Sequence, residues 1–445
     1  MKVVDIFCGA GGMSCGLHQA GMTPIAGYDS WLPAVETYGR NLWADHAVIG
    51  SIEDFSKMAP MILRQAPDLI AGGPPCQDFS SAGKRKEGAR ADRTRDFAML
   101  IAVVRPEWFI FENVKPAPRS RSYQDARSIW KAHSYGLTEL ILDASFYGVP
   151  QARERFFCVG RRGEVDGFLD ADLIAAAAPQ PMTLRDAFGT QIADAVYIRP
   201  AYKNRRALWG ADEPAATVRN RYHQRVPPNY VRHPADAPGK ITVLTQRMVS
   251  DIQGFPASWV WKGSKSADIN QMLGNAVPPP LAKAIGIAIM DRHHGKTSPP
   301  ISADFRNMLV TRKHADADIA NILSRLKRAR RMLGGRTYSD IHDEIRALED
   351  VPEFKELKTA SKSDLRNACR LHADLPLPPP KYYIPPKRAP HPLIGVWRKP
   401  KIKPETGYIS RIPPVVPSYD PNAPRQPPRN LNARLRQHED IDVDA

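Results

Sequence analysis

The N-terminal segment constrains the fold more than any other stretch of the chain. Residues 3–7 form an apolar, β-branched run that predicts a strand, and residues 8–12 follow as a glycine-rich turn that leads into a helical segment. Glycine lets the backbone approach a ligand closely, and the free N–H groups at a helix N-terminus attract polar or anionic groups. Many α/β proteins carry such a loop for packing alone, so this segment predicts the α/β class without fixing a function.

Two later apolar runs end in residues that carry chemistry. Residues 68–71 predict a buried strand, and the Gly-Gly-Pro-Pro turn at 72–75 places Cys76 at its tip. Residues 108–111 predict a second buried strand, which ends at Glu112. Open α/β sheets bind ligands at the carboxyl ends of their strands, and a carboxylate at such a position is costly without a partner or a role. An ordinary buried cysteine is the alternative for Cys76 taken alone.

Five sequence blocks together resemble the DNA (cytosine-5) methyltransferases, which depend on S-adenosylmethionine. The blocks are Asp-x-Phe-x-Gly-x-Gly-Gly at 5–12, Pro-Pro-Cys-Gln-x-Phe-Ser at 74–80, Glu-Asn-Val at 112–114, Gln-x-Arg-x-Arg at 151–155 and Gly-Asn-Ala-Val-Pro-Pro at 274–279. They stand in the family's order, and the resemblance extends over residues 1 to about 292. It implies an α/β, Rossmann-like methyltransferase domain with a small, mostly irregular or β recognition domain and a C-terminal extension.

The resemblance implies a site for S-adenosyl-L-methionine near the first block. The cofactor-binding residues that it implies are Asp5, Phe7, Gly9, Gly11, Gly12, Asp29, Ser51, Ile52, Pro74 and Asn275. Asp29 closes the second predicted strand, where an acidic residue can accept hydrogen bonds from ribose hydroxyls, although a helix N-cap is the alternative. Ser51 stands where the family usually has an aspartate, and Ser30 follows Asp29 where many relatives have an aromatic residue.

The same resemblance assigns the catalytic groups. Cys76 is the nucleophile that attacks cytosine C6, Glu112 contacts the N3 side of the ring, and Arg153 and Arg155 bind the O2 side, where negative charge develops. The expected substrate-binding residues are Gln77, Ser80, Lys84, Arg85, Asn113 and Gln151. In a strand-like segment, Gln151, Arg153 and Arg155 would share one face, although a charged hairpin edge is the alternative. The target base must be flipped out of the duplex, and the basic loop at 84–90 is expected to close over it.

The charge of the chain favours a nucleic-acid partner. The formal net charge is +16, and more than half of that excess lies in residues 296–445. We therefore expect double-stranded DNA as substrate, a monomer acting on it, and a cognate restriction endonuclease as an optional partner. There is no apolar run of about 18 residues and no signal-peptide pattern, which indicates a cytoplasmic, nucleoid-associated enzyme without membrane contact. The five cysteines lack metal-ligand spacing, so we expect no metal.

The pattern divides the chain into four parts. Residues 1–160 and 266–295 form the expected catalytic and cofactor-binding domain, and residues 161–265, rich in arginine and aromatic residues, form the target-recognition region. Residues 296–375 show helical periodicity. Residues 376–445 hold 17 of the 42 prolines and predict an extended or disordered basic arm.

Three other functions remain open. A transfer-RNA cytosine-5 methyltransferase would share the catalytic blocks, but such enzymes usually carry a Cys-Phe-Thr signature, which this chain lacks in its recognition region. A catalytically inactive DNA-binding regulator would need a broken cysteine, glutamate or arginine block, and all three are intact. Transfer of a group other than methyl, from a modified cofactor, is the third. The recognised DNA sequence is not readable from the chain.

Overall fold

The computed structural model describes residues 1–42, 47–75, 92–200, 205–220, 225–263 and 265–375. The strands of these ranges are β1 (Lys2–Ile6), β2 (Thr23–Asp29), β3 (Ala47–Ile49), β4 (Leu69–Gly72), β5 (Trp108–Val114), β6 (Tyr135–Asp143), β7 (Gln151–Ala152), β8 (Glu154–Arg162), β9 (Ala195–Tyr197), β10 (Leu208–Gly210), β11 (Ala215–Ala216) and β12 (Ile241–Thr242). The helices are α1 (Gly12–Gln19), α2 (Leu32–Asn41), α3 (Phe55–Gln65), α4 (Asp92–Val104), α5 (Arg121–Ala132), α6 (Asp170–Ala175), α7 (Leu184–Phe188), α8 (Gln246–Ile252), α9 (Ser266–Asn275), α10 (Pro279–His293), α11 (Ala303–Thr311), α12 (Asp316–Met332), α13 (Ile341–Asp350), α14 (Pro352–Lys355) and α15 (Thr359–Ala373).

A seven-stranded sheet organises the described part of the chain. Its order is β3-β2-β1-β4-β5-β8-β6. Strands β1 to β5 are parallel, and β8 runs antiparallel between β5 and β6. The strand order reverses between β1 and β4, and open α/β sheets bind ligands at the carboxyl ends beside such a point. The predicted α/β, Rossmann-like fold is confirmed.

Hydrophobic residues cover both faces of this sheet. The buried strands were recognisable because strands covered on both faces are apolar at nearly every position, as in Leu69–Gly72 and the start of Trp108–Val114. One cluster joins the sheet to helices α1 and α10, and the other joins it to helices α3, α4 and α5. This packing on both faces fixes the positions of the strand ends at the carboxyl edge of the sheet.

Helix α10 returns the chain to the first helix. A Cβ atom on Gly16 would lie 2.2 Å from the carbonyl oxygen of Pro279, so only glycine allows this approach of α1 to α10. The predicted apolar helix at 281–290 is therefore present and longer, at Pro279–His293. This packing brings Asn275, at the end of α9, to the carboxyl edge of the sheet.

The structure corrects three element boundaries. The helix expected from Asp96 begins at Asp92. The strand expected at 108–111 continues to Val114, because Glu112 and the two residues after it still pair with β8. Residues 151–155 are not one strand, since β7 ends at Ala152 and β8 begins at Glu154. In β5, polar side chains end the apolar sequence pattern although backbone pairing continues.

The region between β8 and α9 is built from short elements. Strands β10, β9 and β12 form a three-stranded sheet, and β11 pairs with β7. Their shared core includes Leu184, Val196, Val249, Ile252 and Phe255. The region is mostly irregular, as expected, but helices α6, α7 and α8 hold more of its residues than its short strands do.

The C-terminal extension is helical through residue 373. Helices α12 and α13 correspond to the two periodic stretches of the sequence, and α11, α14 and α15 add to them around a separate hydrophobic core. The proline-rich arm at 376–445 lies outside the described residues. Within the described ranges, no helix has the length and apolar character needed to cross a membrane.

Candidate active site

A cavity of about 500 Å³ lies at the carboxyl edge of the sheet. The ends of β1, β2, β4 and β5 contribute Phe7, Asp29, Gly73 and Glu112 to its wall, and Asn275 closes one side. The cavity therefore collects residues from the ends of four neighbouring strands, two on each side of the reversal of strand order. It contains every predicted cofactor residue except Gly11, which lies in the loop beneath it.

The glycine-rich loop forms the floor of the cavity. Gly9 and Gly11 have φ values of +53° and +90°, in the left-handed region that favours glycine. A Cβ atom on Gly9 would meet no atom within 4 Å, whereas one on Gly12 would lie 2.2 Å from the carbonyl oxygen of Val277. The loop thus leaves open space above Gly9 and packs tightly at the start of α1.

Asp29 is fixed in the wall by two backbone N–H groups. Its Oδ2 atom accepts a hydrogen bond from Gly9 N at 3.0 Å, and its Oδ1 atom accepts one from Trp31 N at 2.9 Å. Burial raises the pKa of Asp29, and these N–H groups partly oppose the rise. The N-cap position of α2 is Trp31, so the alternative assignment of Asp29 as the helix cap does not describe the structure.

Asp5 is the most deeply buried acidic group of the cavity wall, with 1 % of its surface exposed. Ser14 Oγ donates a hydrogen bond of 2.6 Å to Asp5 Oδ2. Burial raises the pKa of Asp5 to about 7, and the charge of Asp29 adds to the rise while the Ser14 hydroxyl opposes it. The carboxyl group therefore changes its charge near neutral pH.

The cavity wall includes both residues where the sequence departs from the family pattern, Ser30 and Ser51, and also Ile52. Ile52 is buried, and Ser51 Oγ accepts a hydrogen bond from Glu53 N at 3.3 Å, which caps a short 3₁₀ turn. Glu53 forms an ion pair with Arg93 at the cavity rim. Glu53 and Arg93 were not expected at the site from the sequence, in which the only signal was that Glu53 lies two residues after Ser51.

Glu112 and Arg155 form an ion pair at the other end of the cavity. Arg155 Nε lies 3.2 Å from Glu112 Oε1, and the two side chains are 16 % and 13 % exposed. Burial raises the pKa of Glu112, although the charges of Arg155 and Arg153 oppose the rise. A Cβ atom on Gly73 would lie 3.0 Å from Glu112 Oε2, so the end of β4 lies directly against this carboxylate.

The predicted nucleophile, Cys76, comes three residues after Gly73 in the sequence. Pro74 and Pro75 line the cavity, and Asn113 Nδ2 donates a hydrogen bond of 3.3 Å to the Pro74 carbonyl oxygen. The described range stops at Pro75. The predicted residues Cys76, Gln77, Ser80, Lys84 and Arg85 lie outside the described residues.

The structure gives Arg153 and Gln151 positions that the sequence pattern did not anticipate. Arg153 lines the cavity but is 1 % exposed, and its guanidinium donates to the carbonyl oxygens of Val218 at 3.0 Å and Gly274 at 2.9 Å. Gln151 is fully buried outside the cavity wall; its Oε1 accepts a hydrogen bond from Val218 N at 2.7 Å, and its Nε2 donates one to Gln253 Oε1 at 2.8 Å. Arg153 and Arg155 both line the cavity, as a shared face predicts, whereas Gln151 does not, because it lies in β7, before the break that separates β7 from β8.

In this structure Gln151, on β7 just before β8, ties that part of the chain to the region between β8 and α9. That buried role does not fit the substrate contact expected from the sequence. No local pattern could have revealed it, since its partners lie 67 and 102 residues further along the chain.

The described residues contain no group of three or more His, Cys, Asp or Glu side chains placed to hold a metal ion. The fold and the cavity define an α/β enzyme of the Rossmann-like class, with a ligand site at the reversal of strand order and a buried carboxylate–guanidinium pair beside it.

Residues 1–291 match the model of the C-5 cytosine-specific DNA methylases, and the chain belongs to this family. It is 40% identical over 298 residues to the type II methyltransferase M.HindV of Haemophilus influenzae, a match that covers 65% of this chain and 97% of that protein. It is 41% identical over 288 residues to the type II methyltransferase M.HgiDI of Herpetosiphon aurantiacus, over 63% of this chain and 92% of that protein.

The fold is also found among solved structures. The S. pombe Dnmt2 methyltransferase is similar with a TM-score of 0.50 and 16% sequence identity, over 66% of this chain and 98% of that one. At this identity the likeness concerns the fold alone. The predicted family, fold class and enzyme class are confirmed: the chain is a DNA (cytosine-5) methyltransferase, with residues 292–445 beyond the matched segment.

Proposed function

We propose that this enzyme binds S-adenosyl-L-methionine in the cavity and methylates a cytosine that has been flipped out of double-stranded DNA, with Cys76 as nucleophile. The observation that carries the proposal is the Glu112–Arg155 pair, which lies against Gly73, three residues before Cys76 in the sequence. The turn after β4 leads to Cys76, and an acid and a cation lie beside it. This arrangement suits the addition of a thiolate to a polar ring.

The residues of the cavity suit S-adenosyl-L-methionine. The open space above Gly9 admits a ligand close to the backbone, Asp29 presents a fixed carboxylate to ribose hydroxyls, and Asp5 presents an acidic group to a cationic one. Phe7, Ile52 and Trp31 offer apolar surface nearby. When bound, the cofactor supplies an electrophilic methyl group.

Cys76 activates the substrate in this mechanism. Cytosine C5 is a poor nucleophile, and a bond from the Cys76 sulfur to C6 interrupts the conjugation of the ring and makes C5 electron-rich. After C5 has gained its methyl group, loss of the C5 proton and cleavage of the S–C6 bond restore the aromatic ring and release the thiolate. Thiolates suit this role because they attack readily and also leave readily.

Glu112 and Arg155 stabilise the ring during thiolate addition. The raised pKa of Glu112 favours its protonated form, which can donate a proton or a hydrogen bond to N3. Arg155, held beside Glu112, faces the O2 side, where negative charge develops. Arg153 has a positioning role in this proposal, because its guanidinium is engaged by two backbone carbonyl groups.

The remaining parts of the chain serve DNA in this proposal. Residues 1–160 and 266–295 hold the chemistry, and residues 161–265 recognise the target sequence and help to offset the few kcal/mol needed to flip a base. The net charge of +16 favours binding of duplex DNA, with residues 296–375 and the arm at 376–445 adding basic charge. The enzyme acts as a monomer on nucleoid DNA in the cytoplasm, as the modification partner of a restriction endonuclease.

The Cys76→Ala variant separates chemistry from DNA binding. We expect methyl transfer to duplex DNA to fall by about 10³-fold or more, because the nucleophile is lost, while the duplex dissociation constant stays within about threefold. Transfer is measured with radiolabelled S-adenosylmethionine and binding by electrophoretic mobility shift. Cys369→Ala, which removes a buried thiol in the C-terminal extension, is the control and should retain both. Retained transfer in Cys76→Ala, or joint loss of binding and transfer, would contradict the assigned role.

A further inference from the structure

Three buried side chains from three elements form one hydrogen-bond chain beneath the glycine-rich loop. Tyr38 on α2 donates from its hydroxyl to Ser14 Oγ on α1 at 3.1 Å, and Ser14 Oγ donates to Asp5 Oδ2 on β1 at 2.6 Å. Tyr38 and Ser14 are fully buried, and Asp5 is 1 % exposed. This series of hydrogen bonds leads from the interior of the protein to the Asp5 carboxylate in the cavity wall.

Neighbouring backbone is shaped around the Tyr38 ring. A Cβ atom on Gly27 of β2 would lie 2.5 Å from the ring, and one on Gly11 of the loop would lie 3.1 Å from it. The strand and the loop can therefore enclose this ring only with glycine, or with displacement of the ring. An aromatic side chain enclosed so closely holds its hydroxyl in one position.

Because its surroundings disfavour the ionised form, the charge state of Asp5 depends on the hydrogen bond that it accepts from Ser14. Burial and the charge of Asp29 disfavour the carboxylate form, and the Ser14 hydroxyl favours it. The Cys8 thiol and the Tyr38 hydroxyl also face Asp5; burial raises the pKa of each of them, and the charge of Asp5 adds to the rise. The Ser14 hydrogen bond is thus a direct contact that favours the ionised form of a carboxyl group set in an unfavourable environment.

We propose, on the basis of the cofactor site proposed above, that Tyr38 and Ser14 are positioning residues that hold the Asp5 carboxylate for the cationic, ammonium-bearing end of the cofactor. Tyr38 orients the Ser14 hydroxyl, and Ser14 orients Asp5. Neither hydroxyl touches the ligand.

Binding of the cofactor should then release a proton. The pKa of Asp5 is about 7 without ligand, so the group is mostly protonated at pH 6. A cation placed beside it favours the ionised form, so the proton leaves to solvent as the ligand binds. At pH 6 the α-amino group of the ligand is already protonated, because such groups have a pKa of about 7.7–8.0.

The test is isothermal titration calorimetry of the full chain with S-adenosylmethionine, without DNA, in buffers of different ionisation enthalpy from pH 5.5 to 7.5. In the wild-type protein we expect release of most of one proton at pH 6 and about half a proton near pH 7. The Asp5→Asn variant should release almost no proton when it binds the cofactor. Ser14→Ala should bind about ten- to hundredfold more weakly at pH 7, the value of one hydrogen bond to a charged group, and its proton release should persist to higher pH.

Tyr38→Phe should show the same changes as Ser14→Ala to a smaller extent. Tyr135→Phe is the matched control, because it also removes one buried hydroxyl, which donates to the Pro106 carbonyl oxygen far from the cavity. It should leave proton release unchanged. Thermal unfolding of each variant shows whether it is folded.

The outcomes separate this inference from the proposed function. Weaker binding of Ser14→Ala and Tyr38→Phe with an unchanged proton-release profile would overturn the positioning role, because it would indicate a merely structural defect. Wild-type binding without proton release would overturn the role of Asp5 while leaving the cofactor site intact. An absence of binding by the wild-type protein would overturn the proposed cofactor site and this inference with it.

Discussion

Three acidic side chains of the cavity wall have their pKa values raised by burial. They are Asp5, Asp29 and Glu112, and each lies at or near the carboxyl end of a strand. Burial of a carboxyl group without full compensation costs stability, so such groups indicate a site that binds or transforms a ligand. Their partners differ: Asp5 has a hydroxyl, Asp29 has two backbone N–H groups, and Glu112 has a guanidinium.

Glu112→Gln tests the acid form of Glu112. The raised pKa means that the protonated form persists to higher pH than in an ordinary glutamate, and activity carried by that form should decline as pH rises through this pKa. We expect the variant to lose about 10²- to 10³-fold in kcat/KM for duplex DNA, and to lose this decline, because glutamine cannot ionise. Steady-state methylation rates measured across pH check both results.

The control for this prediction is Glu139→Gln, which alters another buried glutamate, on β6, that is paired with Tyr123 and Arg127 on α5. Its pH profile should match the wild type. An unchanged pH profile in Glu112→Gln would exclude proton donation by Glu112.

A buried ion pair joins the secondary-structure elements at the opposite edge of the sheet from the cavity. Arg292 on α10 donates to Glu164 Oε1 at 2.7 Å, and both side chains are fully buried. Thr337, just before α13, donates its hydroxyl to Glu164 Oε2 at 2.7 Å. The pair therefore connects the end of β8, helix α10 and the C-terminal extension.

Glu164→Gln should destabilise the protein by about 3–5 kcal/mol, because it leaves Arg292 buried and charged without its partner. The double variant Glu164→Gln/Arg292→Met should recover part of that loss, since the unpaired charge is removed as well. Chemical denaturation followed by circular dichroism measures both.

An exposed pair provides the comparison. Arg121 and Asp125 are 87% and 55% exposed, and Arg121→Gln should change stability by no more than about 1 kcal/mol. If Glu164→Gln proved as mild as Arg121→Gln, the ion pair would not anchor the extension.

For the molecule as a whole, the sequence predicted the parts that depend on local pattern. Parallel strands covered on both faces are apolar at almost every position, so β4 and β5 were recognisable. Glu112 and Asp29 each follow from the end of a predicted strand, and both lie at the cavity edge of the sheet. The sequence did not reveal residues whose roles depend on distant partners. Ser14 and Tyr38 look like ordinary helix residues, and Gln151 shares its hydrogen bonds with residues from another region.

The most direct test of the proposed function is to express the protein in a bacterial host without DNA cytosine methylation and to map 5-methylcytosine across the genome. The wild-type chain should place 5-methylcytosine at one short recurring sequence, and Cys76→Ala should leave the genome unmethylated at the same expression level. Unmodified DNA with the wild-type chain, or 5-methylcytosine in transfer RNA instead, would contradict a DNA cytosine-5 methyltransferase that acts through Cys76.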